Sequence, residues 1–401
     1  MKIARSLLAL SLLVLPLVAV PALADDDDGH QFPKNVTFST LITTPLAIEG
    51  MTNDNRGNLY VPGRSAGAGV NCPVWRIDID NPALVEVGFI PPPSPTGQCS
   101  PSGLAFDRAG RLYVTEGDKI YRFFPDAAGK PLATVFATGV PGANGVAFDE
   151  DGNLWTGDGT TGQGRVWRID ASGISAEMFR IQPMANEVNL NAGVGGVGRD
   201  ARTLPPGTIT ITQTSRSAAN MMGSQPLVAN GVAFDDDGDL IVADTARGAL
   251  WKVKIGRDGN VRSRMGCDTT FTANTLCLEN IFVAHPLLEG ADGIALDRAG
   301  NIWVDANERN AVVVVTRNGK DVREVFRNAP DAVTKLRNGG PMEFNTSPVL
   351  EGRKFCTANS DGNRRDNSPS SVGELGSSGF LGKISCMDQR LSIPGMRLPV
   401  R

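Results

Sequence analysis

Residues 292–304 read Asp-Gly-Ile-Ala-Leu-Asp-Arg-Ala-Gly-Asn-Ile-Trp-Val, and four other segments repeat the pattern of their first nine positions. Each copy has a polar residue, a glycine, a short and mostly apolar run, and then Asp-x-x-Gly. The other copies are 49–57, 102–110, 144–152 and 230–238. Aspartate caps a tight turn with its side chain and glycine accepts a positive φ, so each copy predicts two strands joined by a turn. We therefore interpret the repeated aspartates as turn residues rather than as a row of catalytic carboxylates: Asp54, Asp107, Asp149, Asp235 and Asp297.

A sixth, degenerate copy is expected near the C-terminus, where Gly352 precedes the β-rich run 354–357. Counting back eight residues from Gly352, as in the other copies, places its first position at Phe344. Repeats of about 40–60 residues, each able to form a small antiparallel sheet, are typical of a β-propeller. We predict an all-β protein with a six-bladed propeller over residues 45–401. The N-terminal segment 25–44 contains a stretch, 36–42, that can supply the strand closing the ring.

The interval between Asn144 and Asn230 is much longer than the other intervals. We predict an insertion there, at about 185–229, between blades three and four. Its segment Thr208–Thr212 is a candidate for an extra strand, which leaves a seven-bladed propeller as the alternative. The insertion contains no Asp-x-x-Gly turn, which favours six blades. The C-terminal part, 357–401, is predicted to be rich in loops.

The composition of the 401 residues is that of a globular protein, with 41% hydrophobic and 20% charged residues. It excludes a disordered chain, a fibre and a membrane protein with several spans. A formal net charge of −4 offers no electrostatic footprint for nucleic acid. Only 2 histidines are present, which leaves little room for a histidine-based metal site or a Ser-His-Asp triad.

Residues 1–24 have the organisation of a secretory signal peptide. Lys2 and Arg5 are followed by an uncharged stretch that ends in Ala22-Leu23-Ala24. The alternative is an uncleaved membrane anchor, but Pro16 and the Ala-x-Ala ending favour cleavage. The sequence therefore predicts a periplasmic or secreted protein that has no membrane attachment after cleavage.

The chain has 6 cysteines, an even number that indicates disulfides in an exported protein. They fall into three local couples, and no two have the Cys-x-x-Cys spacing. We predict the bonds Cys72–Cys99, Cys267–Cys277 and Cys356–Cys386.

The first position of the repeat is the candidate functional position. In a propeller the innermost strand of each blade lines the central channel, so equivalent residues lie at one height. That position holds Glu49, Ser102, Asn144, Asn230 and Asp292, with Phe344 at the matching place of the sixth copy. Two carboxylates and two carboxamides suit one hard divalent cation, Ca²⁺ first, with Mg²⁺, Mn²⁺ or Zn²⁺ as alternatives. The competing interpretation is that these residues are turn signals at strand starts, although glutamate is a poor turn residue.

The segments 292–304 and 230–235 resemble blades of the senescence-marker-protein / gluconolactonase / luciferin-regenerating-enzyme-like family. The resemblance implies a six-bladed propeller with one divalent cation at the channel mouth. It also implies that the ligands are Glu49, Asn230 and Asp292, with Asn144 as a fourth contact, and that Asp292 is the catalytic base. The chain departs from the family at Met51, where a tryptophan is usual, and it lacks the arginine usually found near Asn144.

The resulting hypothesis is metal-assisted hydrolysis of a lactone or related ester, with a small molecule as substrate. Asp292 is the predicted catalytic residue. Further substrate contacts are predicted at Asn144, Ser102, Phe344 and His285. The alternative is a non-catalytic NHL-like propeller that binds a protein or small ligand and uses the ion for stability. A quinone-dependent sugar dehydrogenase is disfavoured because it needs a histidine base. The substrate and the oligomeric state stay open.

Overall fold

The computed structural model describes residues 32–182, 229–360 and 381–398, apart from gaps at 34, 126–127, 162, 246, 270, 331, 334–336 and 338. The predicted signal peptide 1–24, nearly all of the predicted insertion 185–229 and residues 361–380 lie outside the described residues. Within the described ranges the chain forms six four-stranded antiparallel sheets and no α-helix. No helix of these ranges is long and apolar enough to cross a bilayer.

The strands follow the repeats, four to a sheet. Blade one contains β2 (Thr52–Asn53), β3 (Asn58–Pro62), β4 (Cys72–Asp78) and β5 (Val85–Ile90). Blade two contains β6 (Leu104–Phe106), β7 (Leu112–Glu116), β8 (Lys119–Phe123) and β9 (Thr134–Thr138). Blade three contains β10 (Ala143–Phe148), β11 (Leu154–Asp158), β12 (Arg165–Ile169) and β13 (Ser175–Arg180).

Blade four contains β14 (Ala229–Phe234), β15 (Leu240–Asp244), β16 (Ala249–Val253) and β17 (Ile281–Ala284). Blade five contains β18 (Ala291–Leu296), β19 (Ile302–Ala306), β20 (Ala311–Val315) and β21 (Val322–Arg327). Blade six contains β22 (Asn345–Glu351), β23 (Lys354–Asn359), β24 (Lys383–Met387) and, as its outermost strand, β1 (Phe38–Thr43).

Two features close the ring of blades. The first strands of the six sheets contact one another in the order β2, β6, β10, β14, β18, β22 and back to β2, so they surround a central channel. The N-terminal strand β1 pairs antiparallel with β24, which joins the start of the propeller to its last blade. The architecture is thus a six-bladed propeller, as the repeats predict.

The repeated aspartates form the turns between the first and second strands. In blade five, Asp297 Oδ1 accepts hydrogen bonds from the backbone N–H groups of Ala299 and Asn301, at 2.9 and 3.0 Å, and Gly300 has a φ of 79°. The indole N–H of Trp303 donates to Asp297 Oδ2 at 3.1 Å. Trp155 makes the same bond to Asp149 in blade three, at 2.9 Å. The turn interpretation is confirmed, and the aromatic residue of the second strand is part of it.

The core lies between the blades. Trp155, Trp251 and Trp303 are fully or almost fully buried, and the ring of Trp155 packs edge-on against Phe234 of the next blade, 5.8 Å between centroids. All three predicted disulfides are present. Cys356 and Cys386 are direct cross-strand partners in blade six, where β23 pairs with β24.

Candidate active site at one end of the channel

The glycines of the repeat bring its first positions to one level of the channel. A β-carbon added to Gly50 would lie 1.8 Å from the backbone oxygen of Ser102, and one on Gly231 would lie 2.5 Å from that of Asp292. The same contact with the next blade recurs at Gly103, Gly145 and Gly293. Only glycine permits this approach. The first positions therefore form one ring around the axis, at the channel end opposite to the Asp-x-x-Gly turns.

The sixth member of this ring is Thr346, and the prediction of Phe344 at that place is wrong. A β-carbon on Gly293 would lie 2.3 Å from the backbone oxygen of Thr346. Thr346 Oγ1 donates to the backbone oxygen of Glu49 at 2.8 Å and so joins blade six to blade one. Counting back from Gly352 failed because Glu351 pairs with Lys354 across a shorter turn than in the other blades.

Phe344 lies just before β22, with a φ of 56°, and its N–H donates to Asn310 Oδ1 at 2.8 Å. We call the ring residues Glu49, Ser102, Asn144, Asn230, Asp292 and Thr346 the axial ring.

Three members of the axial ring are held by side chains that come one or two residues after the second strand of their own blade. Arg64 forms an ion pair with Glu49. Thr245 Oγ1 accepts a hydrogen bond from Asn230 Nδ2 at 3.1 Å. Asn307 Nδ2 donates to Asp292 Oδ2 at 2.6 Å.

In blade three the same position is Gly159, where a β-carbon would lie 2.2 Å from Asn144 Nδ2. Sequence reasoning missed Arg64, Thr245 and Asn307. Thr245 and Asn307 are the first residues after the second strand of their blades and Arg64 is the second, a signal that has no meaning until the strands are paired.

Two acids, Glu49 and Glu116, share the strong base Arg64 at this end of the channel. Arg64 also contacts Ser100 Oγ, through Nε at 3.0 Å and Nη2 at 2.6 Å. The backbone N–H of Ser100 donates to Glu116 Oε2 at 2.7 Å. Burial raises the pKa of Glu116 to about 7, although the Ser100 hydrogen bond and the charge of Arg64 oppose this. Near neutral pH Glu116 therefore carries only part of a negative charge. The positive charge of Arg64 then mainly offsets the charge of Glu49.

His285 serves the chain turn that leads into blade five. Its Nδ1 accepts a hydrogen bond from Leu287 N–H at 3.1 Å and caps the short 3₁₀ turn Pro286–Leu288. Burial and the nearby Arg309 lower its pKa. Its predicted contact with substrate stays a prediction, as do those of Ser102 and Phe344.

The acids on the second strands have structural partners. Asp158 forms an ion pair with Arg165 at 3.0 Å. Asp244 pairs with the fully buried Arg247 at 3.0 Å and also accepts from Trp251 Nε1. These contacts give both aspartates a structural role.

The turn end of the channel holds a cavity of about 630 Å³. Its wall includes the residue after each repeat glycine: Met51, Leu104, Val146, Val232 and Ile294, with Pro348 in blade six. At its mouth Asp235, Asp236 and Asp237 bring carboxylates within 4.8 Å of one another. Lys252 and Arg317 form ion pairs with them, so the negative charge of this acidic cluster is partly offset. The axial ring lies at the other end.

Comparison with known proteins identifies the family. A family model described as "SMP-30/Gluconolactonase/LRE-like region" matches residues 73–343. The chain belongs to this family. The match covers blades two to five and the two outer strands of blade one, and it includes the axial ring members of blades two to five. It begins after Glu49 and ends before Thr346, so these two residues of the axial ring lie outside the family match.

Relatives within and around the SMP-30/gluconolactonase family have low sequence identity to the chain. Lactonase drp35 of Staphylococcus haemolyticus is 23% identical over 258 residues, which are 60% of this chain and 73% of the relative. A luciferin-regenerating enzyme superposes with a TM-score of 0.54 at 13% identity and covers 91% of this chain and 99% of its own. Regucalcin of Agrobacterium tumefaciens, a calcium-binding protein, gives 0.54 at 15% identity, with 91% and 97% covered. At these identities the two structures establish the fold.

Proposed function

We propose that this protein is an exported hydrolase of a lactone or related ester, that it depends on a divalent cation, and that it works at the axial ring. The single observation that carries the proposal is that Glu49, Asn230 and Asp292 share one level of the channel although they are far apart in sequence. Membership of the SMP-30/gluconolactonase family and the similarity to a lactonase support the reaction class.

The donor set fits a hard cation. Glu49 and Asp292 are carboxylates, and Asn230 adds a carboxamide that is already turned by Thr245. Such oxygen donors match Ca²⁺ first and Mg²⁺ or Mn²⁺ next. Glu49, Asn230 and Asp292 would hold the ion, with Asn144 as a further contact. An ion held there would polarise the substrate carbonyl and stabilise the negative charge that develops on its oxygen.

The chain's own residues supply the proton transfer. Asp292 would take the proton from the attacking water, because it is a carboxylate at the level of the axial ring and can act there as a general base. Asn307 donates to Asp292 Oδ2, which holds the carboxylate in one orientation. Glu49 is paired with Arg64, so it would serve as a ligand of the ion rather than as the base.

Export is part of the proposal. The organisation of residues 1–24 supports it, and so do three disulfides, which persist in an oxidising compartment.

The test is elemental analysis of the purified protein together with a panel of lactones and esters, run before and after chelation. We expect a bound divalent ion, turnover of at least one lactone, loss of turnover on chelation and recovery on adding Ca²⁺. An ion that affects only the melting temperature, with no turnover, would support the binding-platform alternative.

Asp292→Asn is the matching variant. Asparagine keeps the shape of the side chain, but it carries no negative charge and cannot act as a base. We therefore expect a loss of activity of at least about 100-fold. The control is Asp237→Ala, which removes an exposed carboxylate at the other end of the channel and should leave turnover unchanged. An Asp292→Asn protein with unchanged turnover ends the proposal.

A further inference from the structure

We infer that Thr245 is a positioning residue for the side-chain amide of Asn230. It turns this amide so that the carbonyl oxygen, and not the NH₂ group, is available to an ion at the centre of the axial ring. The inference rests on the proposed function, because the ion is part of that proposal. The orientation of the Asn230 amide can be tested without the ion. It depends on two hydrogen bonds of one hydroxyl group.

The Thr245 hydroxyl has a single proton, and that proton is already used. Thr245 Oγ1 donates to the backbone oxygen of Ala291 at 2.7 Å, across the contact between blades four and five. Ala291 is fully buried, so its carbonyl oxygen would be costly to leave without a donor. The hydroxyl is therefore fixed as a donor to Ala291, and its lone pairs can only accept from any other neighbour.

Asn230 is that other neighbour. Its side-chain nitrogen lies 3.1 Å from Thr245 Oγ1. The oxygen and nitrogen of an amide are told apart by their hydrogen-bond partners. If the amide were reversed, its oxygen would face an oxygen that has no proton to give. Thr245 thus sets the amide with Nδ2 towards itself, and Asn230 Oδ1 is left for a cation, which binds oxygen and not an NH₂ group.

Thr245 also ties together two of the proposed ligands. Its acceptor, Ala291, immediately precedes Asp292, so one hydroxyl joins the side chain of Asn230 to the backbone that carries Asp292. Asn230 is only 6% exposed and Thr245 only 1%, so water does not readily replace either bond. Removal of partners that orient metal ligands typically weakens metal binding by about 10–100-fold.

The test compares Thr245→Val with Thr245→Ser. Valine keeps the shape without the hydroxyl, and serine restores the hydroxyl. Thr115→Val is the matched control, because Thr115 Oγ1 also donates to a backbone oxygen of the next blade, that of Asn144 at 3.1 Å, but holds no side chain of the axial ring. The measurement is Ca²⁺ titration by calorimetry on chelated protein, with thermal unfolding in chelator for each variant.

We expect Thr245→Val to bind Ca²⁺ at least about tenfold more weakly. The Ca²⁺ affinities of Thr245→Ser and Thr115→Val should stay within about twofold of that of the unchanged protein. The inference is overturned if Thr245→Val binds Ca²⁺ as tightly as the unchanged protein. It is also overturned if Thr115→Val weakens binding equally, because the effect would then come from a lost bond between blades.

Failure of the proposed function has a different signature. If the unchanged protein takes up no divalent cation, the proposed ion fails, and the crystal structure of Thr245→Val decides the positioning role. An Asn230 side chain that leaves its present orientation supports that role. An Asn230 side chain that keeps its place and its partners without the hydroxyl overturns it.

Discussion

At the scale of single residues, Asp305 shows how a buried acid can belong to the fold rather than to the chemistry. It is fully buried on β19, and Asn345 Nδ2 donates to its Oδ1 at 2.9 Å. Its Oδ2 contacts Thr357 Oγ1, which also lies 3.1 Å from the backbone oxygen of Ala358. Burial raises the pKa of Asp305 to about 7. A protonated Asp305 can donate to Thr357, which can then donate to the backbone oxygen of Ala358.

Replacing Asp305 by Asn should make stability less dependent on pH. The folded protein holds the Asp305 proton more tightly than the unfolded chain, where the pKa is about 3.9, so its contribution to stability is lost as pH rises from about 4 to 7. Asparagine mimics the neutral acid and has no such loss. We expect Asp305→Asn to be more stable by about 2–4 kcal/mol at pH 8 and by only about 1 kcal/mol at pH 4.5, just above the unfolded-state pKa.

Urea unfolding of both proteins at the two pH values measures this difference. An equal effect at both pH values would show that Asp305 is ionised in the folded protein. The first strand of the last blade could not be placed from sequence, so Asn345 as a partner of Asp305 was not predictable.

At the scale of the strand pair, the Asp-x-x-Gly turn is more than a chain reversal. Asp297 is 1% exposed and accepts from two backbone N–H groups, from the side chain of Asn301 and from the indole of Trp303. The repeat therefore links the turn to the aromatic residue that packs between blades. The sequence predicted the turn, because its spacing is local. It did not predict the indole bond, which needs the second strand to fold back over the turn.

Removing the Asp297 side chain should be costly. Asp297→Ala leaves the buried donors of Asn301 and Trp303 without an acceptor, and we expect a loss of about 3 kcal/mol in the free energy of unfolding. The control is Asp170→Ala in the exposed turn after β12, where Asp170 Oδ1 accepts from Ser172 and Ile174 N–H but no buried group depends on it. That variant should lose much less stability, because solvent can replace the hydrogen bonds of an exposed turn. Equal losses in chemical denaturation would contradict a special role for the buried turn.

At the scale of the whole molecule, the ring of blades is held closed by β1. This strand pairs with β24 of blade six, and Phe38 packs its ring 4.7 Å from that of Phe326 in blade five and 5.8 Å from that of Phe355. The disulfide Cys356–Cys386 joins β23 to β24 in the same sheet. Blade six is therefore built from both ends of the propeller.

A chain that begins at Thr44 should lose the closing strand and with it much of the stability of the propeller. The edge of β24 would be exposed and open to pairing with other chains, so we expect a large drop in melting temperature and aggregation on heating. A chain that begins at Phe32 keeps β1 and is the control. Melting curves and light scattering compare the two. A Thr44 chain that melts like the Phe32 chain would show that the other blades hold the ring without β1.

The sequence by itself determined the blade number, the turns and the three disulfide pairs, because each depends on residues close together in the chain and repeated with fixed spacing. It also placed five of the six axial ring positions, because those copies share one register. Only the tertiary structure decided the sixth, Thr346, because the shorter turn of blade six broke the count. Only the tertiary structure revealed Arg64, Thr245 and Asn307 beside the ring, because these contacts arise when the second strand returns along the first and brings its end to the channel mouth.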